Sequence, residues 1–115
     1  MDILNILFAL ASIGLGVFGW LAPKYTMGQL DMSGGDSTMA LSEVRASAGA
    51  LFVGMGVGAL LIGTPTAYAM LGFCWCGAAV GRATSLVIDG RFKKKWIYFI
   101  VEAAVGVPAV FLNLA

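Results

Sequence analysis

Two opposite charges stand inside otherwise apolar stretches of the sequence, and they are the residues best able to do chemistry. Arg82 lies near the carboxyl end of the third apolar stretch, and Glu102 lies near the amino end of the fourth. A charge at the centre of a bilayer costs at least about 2.5 kcal/mol on insertion scales, so such residues face other helices and usually pair. We therefore expect Arg82 and Glu102 to lie at the same depth and to form an ion pair.

Three further charged residues stand at the ends of the same stretches. Glu43 and Arg45 open the second stretch, and Asp89 closes the third. The sequence thus predicts one intramembrane polar cluster of Glu43, Arg45, Arg82, Asp89 and Glu102. Such a cluster can fix which helices are neighbours, or it can make Glu102 a proton or cation site with Arg82 as the counter-charge.

A basic run directly precedes the fourth stretch. It consists of Lys93, Lys94 and Lys95. Basic segments beside a membrane helix attract anionic lipids. We expect these three lysines to contact lipid head groups.

The elements that hold these residues are predicted from composition. Of 115 residues, 60% are hydrophobic and 11% are charged, whereas roughly a quarter of the residues in soluble domains are charged. A membrane span needs about 20 mostly apolar residues. We predict four spans, over residues 3–21, 44–62, 67–88 and 96–114, in a single transmembrane domain of residues 1–115. The expected fold is all-α, an integral membrane bundle of four antiparallel helices.

Each predicted span carries small or polar residues three or four apart, a spacing that places them on one helical face. Because helices in lipid associate by close backbone approach at small residues, we expect these faces to point inward. The faces comprise Asn5, Ala9, Ser12, Gly16 and Gly19 in the first span, Glu43, Ser47, Ala50, Gly54 and Gly58 in the second, Ala78, Arg82, Ser85 and Asp89 in the third, and Glu102, Gly106, Ala109 and Asn113 in the fourth. The glycines predicted to mediate helix packing are Gly16, Gly54, Gly58, Gly77, Gly81 and Gly106.

Basic residues flank only the first and third connections between the spans, and they include Lys24 and Arg91. Cytoplasmic connections of membrane proteins carry an excess of lysine and arginine. We therefore expect loops 22–43 and 89–95 to be cytoplasmic and both termini to be periplasmic, in a multi-pass protein of a bacterial inner membrane. Residues 27–40 show no sustained period and are expected to form a flexible loop.

The remaining residue types offer little for catalysis. The chain contains no histidine and only two cysteines, Cys74 and Cys76, which would point about 200° apart on a helix. We expect both to be buried apolar residues. We expect no catalytic group, no metal, no cofactor and no nucleic-acid partner.

Several short motifs together resemble a bacterial family known only as domain of unknown function 4345. They are the run from Glu43 to Leu51, the glycine-rich segment from Gly54 to Gly58, Gly81 with Arg82, and Asp89 with Gly90. The resemblance covers nearly the whole chain. It implies four spans and marks the charged cluster as the positions to test, but it implies no activity.

The function that we expect is that of a non-enzymatic accessory or scaffold subunit in a larger bacterial membrane complex. Its partners would be membrane lipids and other integral membrane proteins or further copies of itself. The alternative is a small homo-oligomeric transporter or channel with Glu102 and Arg82 in its pathway. An enzyme acting on lipids would instead need a water-filled cavity around Glu43 and Asp89.

Overall fold

The structure, a computed structural model, describes residues 3–114. Within this range the chain forms five helices and no strand. The helices are α1 (Ile3–Leu21), α2 (Pro23–Gln29), α3 (Met39–Ile62), α4 (Pro65–Ile88) and α5 (Lys93–Leu114). All except α2 are long and apolar enough to cross a membrane. The predicted all-α class is therefore confirmed, and so is the expectation of four helices that are long and apolar enough to cross a membrane.

The connection between α1 and α3 is partly helical, in contrast to the loop that was expected. Pro23 opens α2, where its fixed φ and missing N–H suit the first helical turn. The helix ends before Asp31, which has a φ of 56°, a left-handed conformation that aspartate tolerates better than most residues. Beyond it, the N–H of Met32 returns to donate to the carbonyl of Met27 at 2.8 Å. Residues 30–38 are irregular, which agrees with most of the loop expected over residues 27–40.

Helix α3 begins at Met39 and contains a π-helical turn over Ala46–Ala50. Such a turn holds an extra residue, and each residue of a helix advances the side-chain direction by about 100°. The face predicted to point inward, which includes Ala50 and Gly54, is largely exposed, so that prediction is wrong. The buried residues of this helix are Val44, Gly49, Gly56 and Ala59.

The described residues form two compact units, and the first comprises residues 6–61. In it α1 and α3 run antiparallel. The hydroxyl of Ser12 donates to the carbonyl of Phe52 at 2.9 Å, and a β-carbon built on Gly16 would lie 2.6 Å from the carbonyl oxygen of Gly49. The inward face predicted for the first span is buried throughout, from Asn5 to Gly19.

The second unit comprises residues 3–5 with 62–114, and α4 and α5 form an antiparallel pair in it. The hydroxyl of Thr64 accepts a hydrogen bond from the N–H of Ala67 at 3.2 Å, which caps the start of α4. Asn5 and Asn113 exchange two amide hydrogen bonds of 2.7 and 2.8 Å. Both were expected to face inward.

The buried face of α4 differs from the predicted one. Its buried residues are Tyr68, Ala69, Leu71, Gly72, Trp75, Ala79 and Leu86. The prediction had favoured small and polar residues such as Ala78 and Ser85, which are half-buried. Gly72 lies at the contact with α5, since a β-carbon there would lie 2.8 Å from Cβ of Ala109.

Candidate functional site

Arg82 and Glu102 form the predicted ion pair, with two parallel contacts. Nη2 of Arg82 lies 3.1 Å from Oε2 of Glu102, and Nε donates to Oε1 at 3.2 Å. The side chains are 31% and 13% exposed, respectively. This fork geometry is the strong arrangement for a guanidinium and a carboxylate.

The pair depends on the antiparallel arrangement of α4 and α5. These helices are joined by residues 89–92, so that positions near the end of one lie beside positions near the start of the other. The guanidinium carbon of Arg82 also lies 5.4 Å from the centroid of the Tyr98 ring. Tyr98 precedes Glu102 by one helical turn, which places the ring and the carboxylate on the same face of α5. One helix thus supplies both groups that hold the arginine.

The other members of the predicted cluster have different surroundings. Asp89 is exposed at the end of α4. Glu43 is exposed and accepts a hydrogen bond from the hydroxyl of Ser47 at 2.7 Å. Glu43 and Arg45 belong to the unit of residues 6–61, whereas the other three belong to the unit of α4 and α5. The structure therefore joins two of the five residues, Arg82 and Glu102, in an ion pair.

Arg45 contacts the end of α1. Its Nη1 donates to the backbone carbonyl of Trp20 at 2.7 Å, and its side chain is otherwise exposed. Carbonyls in the last turn of a helix lack partners within that helix, and a cation near them also interacts favourably with the helix dipole. Arg45 thus caps α1.

Sequence reasoning selected Arg45 but not the groove that it borders. This groove has a volume of about 510 Å³ and lies within the unit of residues 6–61. It is lined by Trp20, Thr38, Leu41, Ser42, Arg45, Ala46 and Ala50. The sequence does contain a pattern that indicates it. Trp20 lies at the end of a span, and two hydroxyl residues precede Arg45 by about one and two helical turns.

The three lysines stand in the first turn of α5. Nζ of Lys95 donates to the carbonyl of Gly90 at 2.9 Å and lies 5.0 Å from the centroid of the Phe92 ring. Lys93 is exposed and Lys94 is half-buried. Because the start of a helix already carries a partial positive charge, cations there are stabilised by a neighbouring anion.

The six predicted packing glycines fall into two groups. A β-carbon on Gly106 would lie 2.6 Å from the backbone nitrogen of Cys76, and Gly16 is equally close to α3. A β-carbon on any of the other four would have no atom of the described chain within 4 Å, apart from those of its own helix nearby. These four are Gly54, Gly58, Gly77 and Gly81. Two of the six therefore lie at helix contacts within the chain, and four face open space.

The cysteines are both free thiols. Cys76 is half-buried and lies against Gly106, whereas Cys74 is exposed, contrary to the prediction that both are buried. The burial of the neighbouring residue Trp75 turns Cys74 outward, since adjacent helical positions point about 100° apart. Across residues 3–114, no three side chains of histidine, cysteine, aspartate or glutamate are placed to hold a metal ion together.

Comparison with known proteins gives a family without an assigned activity. The profile of a domain of unknown function (DUF4345) matches residues 1–113. No curated protein and no solved structure matches the chain. A role for these residues must therefore be argued from their own geometry.

Proposed function

We propose that this chain, which belongs to the DUF4345 family, is a non-enzymatic accessory or scaffold subunit that packs against other integral membrane proteins in a larger bacterial membrane complex. The observation that carries the proposal is the set of four glycines that face open space. Glycine on a lipid-facing surface of a helix gains nothing from lipid contact, whereas it permits close approach of another helix.

The glycines occur in pairs with the spacing of one helical turn. Gly54 and Gly58 lie on α3 and Gly77 and Gly81 lie on α4, each pair four residues apart. A glycine pair at this spacing is the best-known contact motif of membrane helices. Since the described chain leaves the space beside these glycines open, a helix of another protein can approach them.

The partner is proposed to be a different membrane protein. The proposal includes an antiparallel bundle of the four long helices in a bacterial inner membrane. It also includes periplasmic termini and cytoplasmic loops 22–43 and 89–95, with lipid head groups beside Lys93, Lys94 and Lys95. The cation-rich start of α5 supports this orientation, since basic residues accumulate on the cytoplasmic side.

The alternative is a small homo-oligomeric transporter or channel with Glu102 and Arg82 in its pathway. One observation favours it: the Arg82 side chain is 31% exposed. An ionisable pair at membrane depth is a functional candidate by default. The bidentate contact weighs against a transport role because a carboxylate that exchanges protons or cations must separate from its arginine in every cycle.

The test is a mild-detergent pull-down of the tagged chain from its native membrane, followed by mass spectrometry and native mass measurement. Gly54→Leu and Gly81→Leu are expected to abolish stoichiometric recovery of a larger membrane protein because the leucine side chain blocks close approach. Gly14→Leu is the matched control, since Gly14 is exposed on α1 and also has open space around it. It should leave recovery unchanged.

Two results would contradict the accessory role. Recovery of the unmodified chain only as a homo-oligomer would move the assignment to transport, with Glu102 as the first residue to substitute. Equal loss of the partner from the Gly14→Leu variant would show that the glycine faces have no special part in assembly.

A further inference from the structure

The groove beside Arg45 combines polar and apolar surface in a defined order. Thr38, Ser42 and Arg45 lie four and three residues apart at the start of α3, a spacing that places two hydroxyls and a guanidinium along one helical face. Leu41 and Ala50 contribute apolar surface to the same groove. One face of α3 therefore offers hydrogen-bond donors at one end and hydrocarbon contact at the other.

The guanidinium is held in place while most of its donors stay available. A guanidinium has five N–H donors, and the hydrogen bond to the Trp20 carbonyl engages Nη1. Arg45 is exposed, so its remaining donors can reach a ligand in the groove. The acidic neighbour on this helix, Glu43, accepts a hydrogen bond from the hydroxyl of Ser47.

The π-helical turn accounts for the position of Arg45. Gly49 and Gly56 are buried seven residues apart, and a continuous α-helix would place residue 45 near the same buried face. In the structure Val44 is buried instead and Arg45 is exposed. The extra residue in Ala46–Ala50 thus turns the arginine outward, and π-turns of this kind occur frequently at functional sites.

We propose that this groove binds the phosphate head group of an anionic phospholipid, with an acyl chain along the apolar surface of Ala50. Arginine forms bidentate hydrogen bonds with phosphate, and hydroxyls from Thr38 and Ser42 add donors. The volume of about 510 Å³ falls within the roughly 300–1,000 Å³ that is usual for small-molecule sites.

The position of the groove favours a lipid over free phosphate. Trp20 lies in the last turn of a helix that is long and apolar enough to cross a membrane, and tryptophan concentrates at the level of the head groups. The residue after Ala50 on α3, Leu51, is an exposed apolar side chain. A soluble phosphate would leave the apolar part of the groove unused.

The test measures lipid retention by native mass spectrometry on the full chain, purified in mild detergent and stripped of lipid. Phosphatidylglycerol is titrated against phosphatidylcholine. Arg45→Gln should weaken retention of phosphatidylglycerol by about tenfold or more, the loss expected for a charge-assisted hydrogen-bonded contact. Arg91→Gln is the matched control because it removes the same charge from an exposed position in another connection.

A second substitution addresses the apolar end without removing the cap that Arg45 provides to α1. Ala50→Leu fills the groove and should also weaken retention of phosphatidylglycerol, whereas Ala104→Leu, at an exposed position on α5, should not. Equal retention of the two lipids would overturn the proposal, as would unchanged retention by Arg45→Gln or Ala50→Leu. Displacement of the lipid by millimolar inorganic phosphate would assign the site to a soluble anion instead.

Discussion

Replacement of both Arg82 and Glu102 should affect stability differently from removal of only one of them. Moving both charges out of water is costly, and replacement of a buried ion pair by apolar residues is often neutral or stabilising. Removal of one partner is different, because the other charge then stays in place without compensation. The bidentate contact of 3.1 and 3.2 Å therefore specifies how α4 and α5 align more than it stabilises them.

Substitutions of Glu102 should separate these effects. Glu102→Ala is expected to lower the free energy of unfolding by about 3 kcal/mol, since Arg82 loses its counter-charge. Glu102→Gln should lower it less because the amide oxygen still accepts from the guanidinium. The measurement is unfolding of the purified chain in mixed micelles with increasing sodium dodecyl sulfate.

The double variant Arg82→Met, Glu102→Leu is the control for this prediction. It should recover most of the stability lost in Glu102→Ala, because no charge remains unpaired. If the double variant is as unstable as Glu102→Ala, the pair itself contributes strongly to stability. The unmodified chain and Glu102→Gln can also be compared for ion or proton flux in vesicles. Normal folding of Glu102→Gln together with loss of a flux that the unmodified chain supports would favour the transport alternative.

At the level of single residues, the ion pair could be predicted because the sequence leaves few possible partners for either charge. An arginine and a glutamate at equal distances from a short turn have few other ways to avoid hydrocarbon. Arg45 was harder to place. Its contact with the Trp20 carbonyl depends on a π-helical turn, and no residue type in Ala46–Ala50 signals that turn.

Helix faces were predictable where the helix is regular. The face from Asn5 to Gly19 on α1 is buried as expected, since a fixed period carries the pattern along the helix. On α3 the same reasoning selected Gly54, whereas Gly56 is buried, because glycines stand on opposite sides of this segment and their type alone does not show which side packs. On α4 the pattern alone did not show that Tyr68 and Trp75 are buried, because large apolar residues suit both lipid and a helix contact.

The contact between α4 and α5 can be tested at Gly106. A β-carbon there would lie 2.6 Å from the Cys76 backbone nitrogen and 3.0 Å from the carbonyl oxygen of Gly72. Backbone atoms can move away only if the helices separate, so Gly106→Ala should destabilise the chain by about 1–3 kcal/mol. Unfolding in mixed micelles again provides the measurement.

Gly81→Ala is the matched control for this contact. It makes the same substitution on α4, where nothing in the described chain lies within 4 Å of the new β-carbon. The stability of the isolated chain should stay the same or rise by up to about 1 kcal/mol, since alanine is the better helix former. Equal destabilisation by the two substitutions would mean that the close approach of α4 and α5 at Gly106 does not determine the cost.

For the whole molecule, the distribution of charge is the main determinant of orientation in the membrane. Lys24 and Arg91 stand in the connections 22–43 and 89–95, together with most of the other basic residues. The turn between α3 and α4 contains none. The positive-inside tendency acts on such short connections, so this single asymmetry supports the orientation that we propose for all four long helices.

This orientation can be tested with single cysteines in a background in which Cys74 and Cys76 are replaced by alanine. Asp36→Cys and Thr66→Cys are suitable because both positions are exposed and lie in or beside different connections. An impermeant maleimide should label Thr66→Cys on intact bacterial cells and Asp36→Cys only after the membrane is permeabilised. The opposite pattern would place the Arg45 groove on the periplasmic side, where its lipid would have to come from the outer leaflet of that membrane. Labelling of both positions on intact cells would mean that α3, the helix between positions 36 and 66, does not cross the membrane as proposed.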